Sequence, residues 1–369
     1  MILTAENIVH YLLDKNLVSA NTVVSSGFMV VDMSRRNRNF KILTKGKKGL
    51  FVKQVKNWDM QSVSSLKREA TSYALAKTDS NFAELKELMP ELVHYDIYRN
   101  ILVLELFEES ENLSEMHLRI GKFPTQIGAS LGKSLGLYHF KVKQSLSAVR
   151  QKKIFPESLP WMLTINKNYL AQVKNIDDIH YNFFSVVEKY PQFISGIEKL
   201  RKSWQTNSLI HGDMKWDNCV VLKESQNHTG NQNIKIIDWE LADLGDSSWD
   251  VGAIFQTYLS LWAMSVPSGK NLNTEQAISF SRYKINDMQP AIAEFWNSYS
   301  STMQLIDKDA ELIKCAECAA IRMIQTVYEQ VHFTKQMTKN GVNLMQLSMN
   351  VLQNPKEAVN ELLDLKVKK

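Results

Sequence analysis

This chain of 369 residues has few cysteines, no long apolar run and only a small net charge. Three cysteines cannot build a disulfide framework. Two of them, Cys315 and Cys318, form a C-x-x-C inside a helical run, but no second pair of ligands lies at metal-binding spacing. Buried thiols in a reducing compartment are therefore the favoured interpretation.

No stretch of the sequence is predicted to enter or cross a membrane. The longest candidate span, Val251–Val266, is interrupted by polar residues and is too short for a bilayer. The first residues, MILTAENIVHYLLDKN, include Glu6, His10 and Asp14, which leave no room for the apolar core of an export signal. We therefore expect a cytoplasmic protein without a membrane partner.

The charge balance argues against nucleic acid as a partner. Forty-four basic and 39 acidic residues give a net charge of +5, which is mild beside the basic surface that a phosphate backbone requires. The length allows one or two domains, each with a sizeable core.

Residues that can carry chemistry are concentrated in Leu209–Asp250. Ile210 opens the run IHGDMKWDN, and two apolar, β-prone segments follow at Asn218–Lys223 and Ile234–Trp239. The segment between them, 224–233, is rich in turn-forming residues, so the pattern predicts a β-hairpin.

This hairpin would bring Asn218 and Asp238 to adjacent strand ends. An amide oxygen and a carboxylate are the groups that hold Mg²⁺ on nucleotide phosphates, and Asp213 is the type of residue that orients an attacking hydroxyl. The simpler explanation is a turn and a buried strand that ends in a solvated Asp. The His-Gly before Asp213 and the Gly-Asp and Trp-Asp pairs after Asp238 favour a phosphoryl-transfer site.

The runs HGDMKWDN and IIDWELADLGDSSWDVG resemble the catalytic core of the aminoglycoside phosphotransferase and choline kinase group, relatives of the protein kinases. The resemblance implies an α+β, bilobal protein-kinase-like fold with ATP and Mg²⁺ as cofactors. Residues 1–107 would form a small antiparallel-sheet lobe that binds the nucleotide. Residues 108–369 would form a larger helical lobe for catalysis and acceptor binding, with a helical insertion at 141–207.

The same resemblance gives roles to four residues of the catalytic segment. Asp213 would act on the acceptor hydroxyl, and Lys215 would lie near the transferred phosphoryl group, as in protein kinases. His211 and Asp250 would be structural, with His211 packed behind the loop and Asp250 accepting backbone amides that hold its shape.

The amino-terminal third predicts an antiparallel meander followed by a helix. Its three β-rich runs are Val23–Val31, Asn39–Leu43 and Gly49–Val55. Lys53 is the sole charge in the third run, which is costly unless its ammonium group finds partners. In kinase-like folds this lysine contacts the phosphates and a helix glutamate, and Glu69 is the only carboxylate of the predicted helix Ser62–Thr78. The alternative is an edge-strand lysine that points outward.

The first turn of the meander departs from the protein kinases, which cover the phosphates with a glycine-rich loop. Here the turn carries Arg35, Arg36 and Arg38, which either bind phosphate or form a solvated hairpin tip. Farther along, Glu105 and Phe107 lie where the chain leaves the predicted strand Ile101–Leu106, and there the resemblance implies a hinge that binds adenine through its backbone.

The acceptor is the least constrained part of the prediction. The insertion at 141–207 holds eleven Lys or Arg against five Asp or Glu, so a polycationic aminoglycoside is disfavoured. Two kinds of acceptor stay open, a small molecule and a Ser or Thr of a biosynthetic peptide. The peptide would involve a partner lyase, as in some kinases of ribosomal-peptide biosynthesis. A pseudokinase scaffold is a third hypothesis, although Lys53, Asp213 and Asp238 are all present.

Overall fold

A computed structural model describes residues 1–25, 27–44, 48–166, 178–222, 234–267 and 273–367. The chain divides into two compact units: unit 1 is Met1–Leu113 with Asn218–Ala242, and unit 2 is Ser114–Asp217 with Asp243–Lys369. The hairpin after the HGD run thus belongs to the amino-terminal unit. The predicted lobes, 1–107 and 108–369, placed residues 218–242 in the second lobe. The boundary between the lobes stays a prediction. The predicted turn at 224–233 lies outside the described residues.

Unit 1 is built on a five-stranded antiparallel sheet in the order β1-β2-β3-β5-β4. The strands are β1 Met29–Asp32, β2 Arg38–Leu43, β3 Gly49–Gln54, β4 Leu92–Asp96 and β5 Ile101–Leu106. The helices are α1 Ile8–Asp14, α2 Ala20–Ser25, α3 Met60–Thr78 and α4 Ala83–Lys86. Because successive strand residues point to opposite faces, Leu50 and Val52 join the core around Tyr11 and Leu12, while Lys53 faces the other way.

The predicted strand Val23–Val31 is wrong in its first half. Residues 20–25 form α2, and the strand begins only at Met29. The hydroxyl of Ser19 accepts the N–H of Thr22 at 3.1 Å, which is an amino-terminal helix cap, and Gly27 turns the chain at φ +61°. The cap and the turn override the β-propensity of Val23 and Val24.

The predicted hairpin is present in unit 1. Strands β6 Ser110–Asn112, β8 Cys219–Leu222 and β9 Ile234–Ile236 form an antiparallel sheet in the order β6-β8-β9. In its register Cys219 lies opposite Ile236, and the carbonyl of Asn218 accepts the N–H of Ile237 at 2.9 Å. The end of the hairpin therefore holds Asn218 across from the residue that precedes Asp238.

Unit 2 is mostly helical, with one short pair of strands, β7 Ser208–Ile210 and β10 Asp243–Gly245. Its described helices are α5 Leu113–Ile120, α6 Thr125–Gln144, α7 Leu146–Gln151, α8 Trp161–Thr164, α9 Asp178–Lys189, α10 Pro191–Ser203, α11 Ser248–Ser265, α12 Thr274–Ser279, α13 Ile285–Thr302, α14 Lys308–Thr334, α15 Lys339–Gln353 and α16 Pro355–Glu361. Where it is described, the predicted insertion at 141–207 is mostly helical, with non-helical segments at 152–160 and 204–207. Within the described ranges no helix combines the length and the apolar character needed to span a bilayer.

Close helix contacts place α11 and α14 side by side in unit 2. A Cβ atom on Gly252 of α11 would lie 2.5 Å from Cβ of Cys318 and 2.7 Å from the carbonyl oxygen of Cys315 on α14. Only glycine permits this approach. Cys315 and Cys318 are free thiols buried in the same contact, which agrees with the structural role predicted for them.

Candidate active site

In unit 1, a cluster of charged side chains surrounds the ammonium group of Lys53. Its Nζ atom lies 2.7 Å from Oε2 of Glu69, 2.8 Å from Oδ1 of Asp238 and 3.0 Å from Oε2 of Glu240. The side chains of Lys53 and Glu69 are buried, whereas that of Asp238 is 40% exposed. The predicted pair of Lys53 and Glu69 is thus present, together with two more carboxylates.

Local structure explains how Glu69 and Asp238 reach the lysine. Asp59 caps α3 by accepting the N–H of Ser62 at 2.9 Å, and Tyr73 donates to Glu69 at 3.4 Å. Asp238 follows β9 with φ +66°, a left-handed conformation that costs a non-glycine residue about 1–2 kcal/mol. The buried Trp239, whose Nε1 donates to the carbonyl of Ile236 at 3.0 Å, holds this turn in place.

The charge of the cluster is unbalanced, with three carboxylates around one ammonium group. Burial alone would lower the pKa of Lys53, but Glu69, Asp238 and Glu240 outweigh burial and raise it well above its ordinary value. Burial is also the largest influence on Glu69, where it outweighs Lys53 and raises the pKa to about 7. A buried surplus of negative charge favours either a proton or a cation.

The carboxylates of this cluster fit a hard metal ion. One oxygen from each of Glu69, Asp238 and Glu240 lies within 4.8 Å of the others. Mg²⁺ prefers oxygen ligands and is commonly bound by one or two carboxylates with substrate phosphates. Asp238 was predicted as a ligand, but Glu240 was not. Asn218, the other predicted ligand, is buried at the end of the same hairpin.

Unit 2 has a cluster of its own in the loop of Asp213. Met214 and Trp216 are buried and anchor the loop, while Asp213 and Lys215 alternate with them and stay partly exposed. Lys215 Nζ lies 2.7 Å from Oδ2 of Asp213, and Nη2 of Arg322 lies 3.4 Å from Oδ1. Burial would raise the pKa of Asp213, but the charges of Arg322 and Lys215 outweigh it and hold the pKa below its ordinary value.

Asp250 supports the start of this loop from α11. Its Oδ2 accepts the N–H of His211 at 2.6 Å, and its Oδ1 accepts the N–H of Gly212 at 3.1 Å. Gly212 has φ +79°, which favours glycine at this position. Burial would raise the pKa of Asp250, but the neighbouring His139, whose Nε2 lies 3.6 Å from Oδ2, and His211 outweigh burial and lower it. The geometry is that of a carboxylate holding the loop by its backbone.

The predicted hinge residues already have several partners. The N–H of Glu105 donates to the carbonyl of Glu91 at 2.9 Å, and its carboxylate pairs with Lys48 at 2.6 Å. The carbonyl of Phe107 accepts from the hydroxyl of Ser110 at 2.6 Å. Adenine binding by Glu105 and Phe107 therefore stays a prediction.

Three residues that contact the two clusters had no firm role in the prediction. Glu240 was not assigned a role in the site from the sequence. Arg36, on the arginine-rich turn of unit 1, lies 3.3 Å from Glu240. Arg322 lies 109 residues after Asp213. The signal for Arg322 was available, because it is a lone charge in the apolar run CAAIRMI, like Lys53 in its strand.

Comparisons with known proteins agree with this architecture. No family model matches the sequence. A 4-hydroxytryptamine kinase from Psilocybe cyanescens is 23% identical over 178 residues, a match that spans 46% of this chain and 46% of that protein. The chain thus matches about half the length of this curated relative.

Solved structures match over nearly the whole chain. The GDP complex of an aminoglycoside 2′-phosphotransferase-IIIa variant has a TM-score of 0.54 at 13% identity and covers 97% of this chain and 99% of its own. A choline/ethanolamine kinase family protein from Mesorhizobium loti has a TM-score of 0.51 at 12% identity, with 97% and 95% covered. The chain therefore has the kinase-like fold of the aminoglycoside phosphotransferases and choline kinases, as predicted.

Proposed function

We propose that the protein is an ATP- and Mg²⁺-dependent phosphotransferase that transfers the γ-phosphoryl group to an alcohol hydroxyl. The observation that carries this proposal is the cluster of Lys53 with Glu69, Asp238 and Glu240, a cation-accepting site beside a lysine that can bind phosphate. The loop of Asp213 supplies a carboxylate for the acceptor. Both belong to a chain whose fold is that of known phosphotransferases.

Each residue has a distinct task in this reaction. Lys53 would bind the α- and β-phosphates, and Asp238, Asn218 and Glu240 would hold a metal ion. Bound there, Mg²⁺ would supply positive charge to neutralise the phosphates. Asp213 accepts a hydrogen bond from the acceptor hydroxyl and takes its proton as the oxygen bonds to the γ-phosphorus and the bond from that phosphorus to ADP breaks. Lys215 stabilises the transferred phosphoryl group.

The acceptor that we infer is a small molecule with a hydroxyl group, or a Ser or Thr side chain of a peptide, and not a polycationic aminoglycoside. The support is the basic excess of the insertion at 141–207. Three cations of the insertion already contact protein groups: Arg150 pairs with Glu157, Lys199 pairs with Glu317, and Arg201 donates to two backbone carbonyls. The argument against a cationic acceptor therefore rests on the net charge of the insertion and not on these three side chains. The partner lyase that a peptide acceptor would involve stays a prediction.

A pseudokinase scaffold fits the observations less well. Scaffolds commonly lose the phosphate-binding lysine or one of the two key aspartates, and here Lys53 lies within 3 Å of Asp238 while Asp213 has a cation at each oxygen.

Calorimetry with a non-hydrolysable ATP analogue tests the nucleotide and metal assignment. We expect binding that requires Mg²⁺ and that weakens at least tenfold in Asp238→Asn, because the variant loses a charged ligand. Asp14→Asn, which removes an exposed carboxylate of unit 1 outside the cluster, is the matched control. Equal, Mg²⁺-dependent affinity for wild type and Asp238→Asn would remove Asp238 from the metal site.

The acceptor class has its own test. A panel of neutral, anionic and cationic alcohols and Ser-containing peptides is assayed for ATP consumption at increasing salt. For an anionic acceptor kcat/KM should fall with salt, because ions screen attraction over a Debye length of about 8 Å at physiological ionic strength. Efficient phosphorylation of a kanamycin-like cation would contradict the proposed acceptor class.

A further inference from the structure

Arg322 spans the catalytic loop from a distant helix. Its Nη2 atom lies 3.4 Å from Oδ1 of Asp213 and 3.5 Å from the carbonyl oxygen of Met214, and its Nη1 atom lies 3.3 Å from the carbonyl oxygen of Gly212. One guanidinium group thus contacts three consecutive residues of the loop. The side chain is 5% exposed, so these contacts are made out of water.

The position of Arg322 follows from the tight contact of α11 and α14. Cys318 touches α11 at Gly252, and Arg322 follows Cys318 by one helical turn. The guanidinium group lies 5.5 Å from the ring of Trp249, which itself donates to the carbonyl of Gly212 at 3.4 Å. The contact between α11 and α14 that buries the two thiols therefore also places Arg322 against the loop of Asp213.

A buried arginine at this position is costly in isolation. Its neighbours Ile321, Met323 and Ile324 are fully buried, and an apolar residue would extend their core without desolvating a charge. Gln325 orients the guanidinium group by accepting from Nη1 at 3.2 Å. The planar, fixed fork of arginine can contact several acceptors at once, whereas the flexible ammonium of a lysine acts as a point charge.

We propose that Arg322 is a positioning residue, which fixes the carboxylate of Asp213 in the orientation that receives the acceptor hydroxyl. The inference rests on the proposed function of Asp213. Lys215 contacts Oδ2 and Arg322 contacts Oδ1, so the carboxylate is held from both oxygens. Arg322 also ties that carboxylate to the backbone on both sides of it, through the carbonyl oxygens of Gly212 and Met214.

The low pKa of Asp213 is consistent with this role. Burial acts to raise that pKa, and Arg322 is the largest of the influences that lower it. Without the guanidinium group, the carboxylate would titrate at higher pH and turn more freely. Nucleotide binding would change little, because among the described residues Arg322 contacts the loop of Asp213, Gln325 and Trp249, and not the residues assigned to the nucleotide.

The test compares Arg322→Met, Arg322→Lys and a matched control, Arg201→Met. Arg201 also donates to backbone carbonyls, those of Leu163 at 2.9 Å and Ile165 at 2.9 Å, which lie outside the loop of Asp213. One readout is the titration of the Asp213 carboxyl carbon by NMR, with its signal assigned from Asp213→Asn. The other is the slow hydrolysis of MgATP, in which water takes the place of the acceptor.

We expect the Asp213 midpoint to rise by about one pKa unit or more in Arg322→Met, by less in Arg322→Lys, and not at all in Arg201→Met. The kcat for hydrolysis should fall about 10- to 100-fold in both Arg322 variants, because lysine cannot span the three acceptors, while KM for ATP changes less than about twofold. Should Arg322→Met fail to fold, Arg322→Lys decides the matter by its kcat and its unchanged KM.

An unshifted Asp213 midpoint in folded Arg322→Met, or full hydrolytic activity in Arg322→Lys, would overturn the proposal. The same losses in Arg201→Met would also overturn it, because they would reveal a general structural defect. The proposed function fails separately, if wild-type protein neither binds nor hydrolyses MgATP. The NMR titration still decides whether Arg322 controls Asp213 in that case.

Discussion

The lysine and carboxylate clusters of the two units carry opposite charge excess. In unit 1, Lys53 is surrounded by Glu69, Asp238 and Glu240, so negative charge exceeds positive by two. In unit 2, Asp213 lies between Lys215 and Arg322, so positive charge exceeds negative by one. Burial raises the pKa of Glu69 to about 7, and Asp238 and Glu240 add to that rise. Burial also acts to raise the pKa of Asp213, but there the charges of Arg322 and Lys215 outweigh it and lower the pKa.

The difference matches two different tasks. A buried surplus of carboxylates becomes favourable when a cation binds, as Mg²⁺ does with a nucleotide. A carboxylate with a cation at each oxygen stays ionised without metal, and it is available to accept a hydrogen bond from an incoming hydroxyl. The predictions below remove the charges that create this contrast, in order of decreasing effect.

Asp213→Asn should have the largest effect, a loss of about 10²- to 10⁴-fold in kcat, because the amide cannot take the proton of the acceptor. Affinity for MgATP should stay within about twofold of wild type, since the nucleotide residues are those of the Lys53 cluster. Phosphoryl transfer to an identified acceptor, or MgATP hydrolysis, measures kcat, and calorimetry measures affinity. Wild-type turnover in this variant would exclude Asp213 from the chemistry.

Lys53→Met should both destabilise unit 1 and weaken nucleotide binding. The change leaves three carboxylates without a counter-charge, and breaking a buried ion pair costs about 3–5 kcal/mol. Thermal unfolding with and without Mg²⁺ measures the effect, and Mg²⁺ should restore part of the stability. Lys41→Met on the neighbouring strand β2 removes the same charge outside the cluster. Equal losses in both variants would contradict a specific role for Lys53.

The site residues that the sequence predicts are those marked by a short local pattern. Lys53 and Glu69 are each a lone charge in an apolar or basic setting, and Asn218 and Asp238 are linked by a short hairpin. Arg322 is different, because its partner is 109 residues away and no local pattern pairs them.

Two further features depend on three-dimensional packing or on weak signals. Glu240 contacts Lys53 because the backbone at Asp238 adopts a left-handed conformation. That conformation is uncommon for aspartate, so it cannot be predicted from the sequence alone. The strand predicted at Val23–Val31 is wrong in its first half because the prediction rested on β-propensity and did not consider Ser19, whose hydroxyl caps α2. The kinase-like fold itself was predictable, since the catalytic motif and the order of strands and helices agree.

Asp250→Asn should change how the stability of unit 2 depends on pH. The folded pKa of Asp250 is lowered, so its contribution is present above the unfolded value of about 3.9 and is lost as pH falls through the folded value. At pH 7 the variant should be about 1–3 kcal/mol less stable, because an amide cannot accept both backbone N–H groups as a carboxylate does. Denaturant unfolding between pH 3 and pH 7 measures this, and a variant that loses as much stability on acidification as wild type would contradict it.

Arg36→Ala should have the smallest effect, a loss of about three- to tenfold in affinity for ATP with no measurable change in stability. Arg36 is 65% exposed and pairs with Glu240 at 3.3 Å, so the ion pair itself contributes little, but it directs the guanidinium group towards the Lys53 cluster where phosphates are expected. Arg35→Ala removes the same charge from the same turn and is the matched control. Calorimetry with an ATP analogue, ADP and AMP should show a loss that grows with the number of phosphates in Arg36→Ala alone. An equal loss in Arg35→Ala would mean that the turn acts only through its net charge, and no loss in either variant would mean that Arg36 serves Glu240 and not the nucleotide.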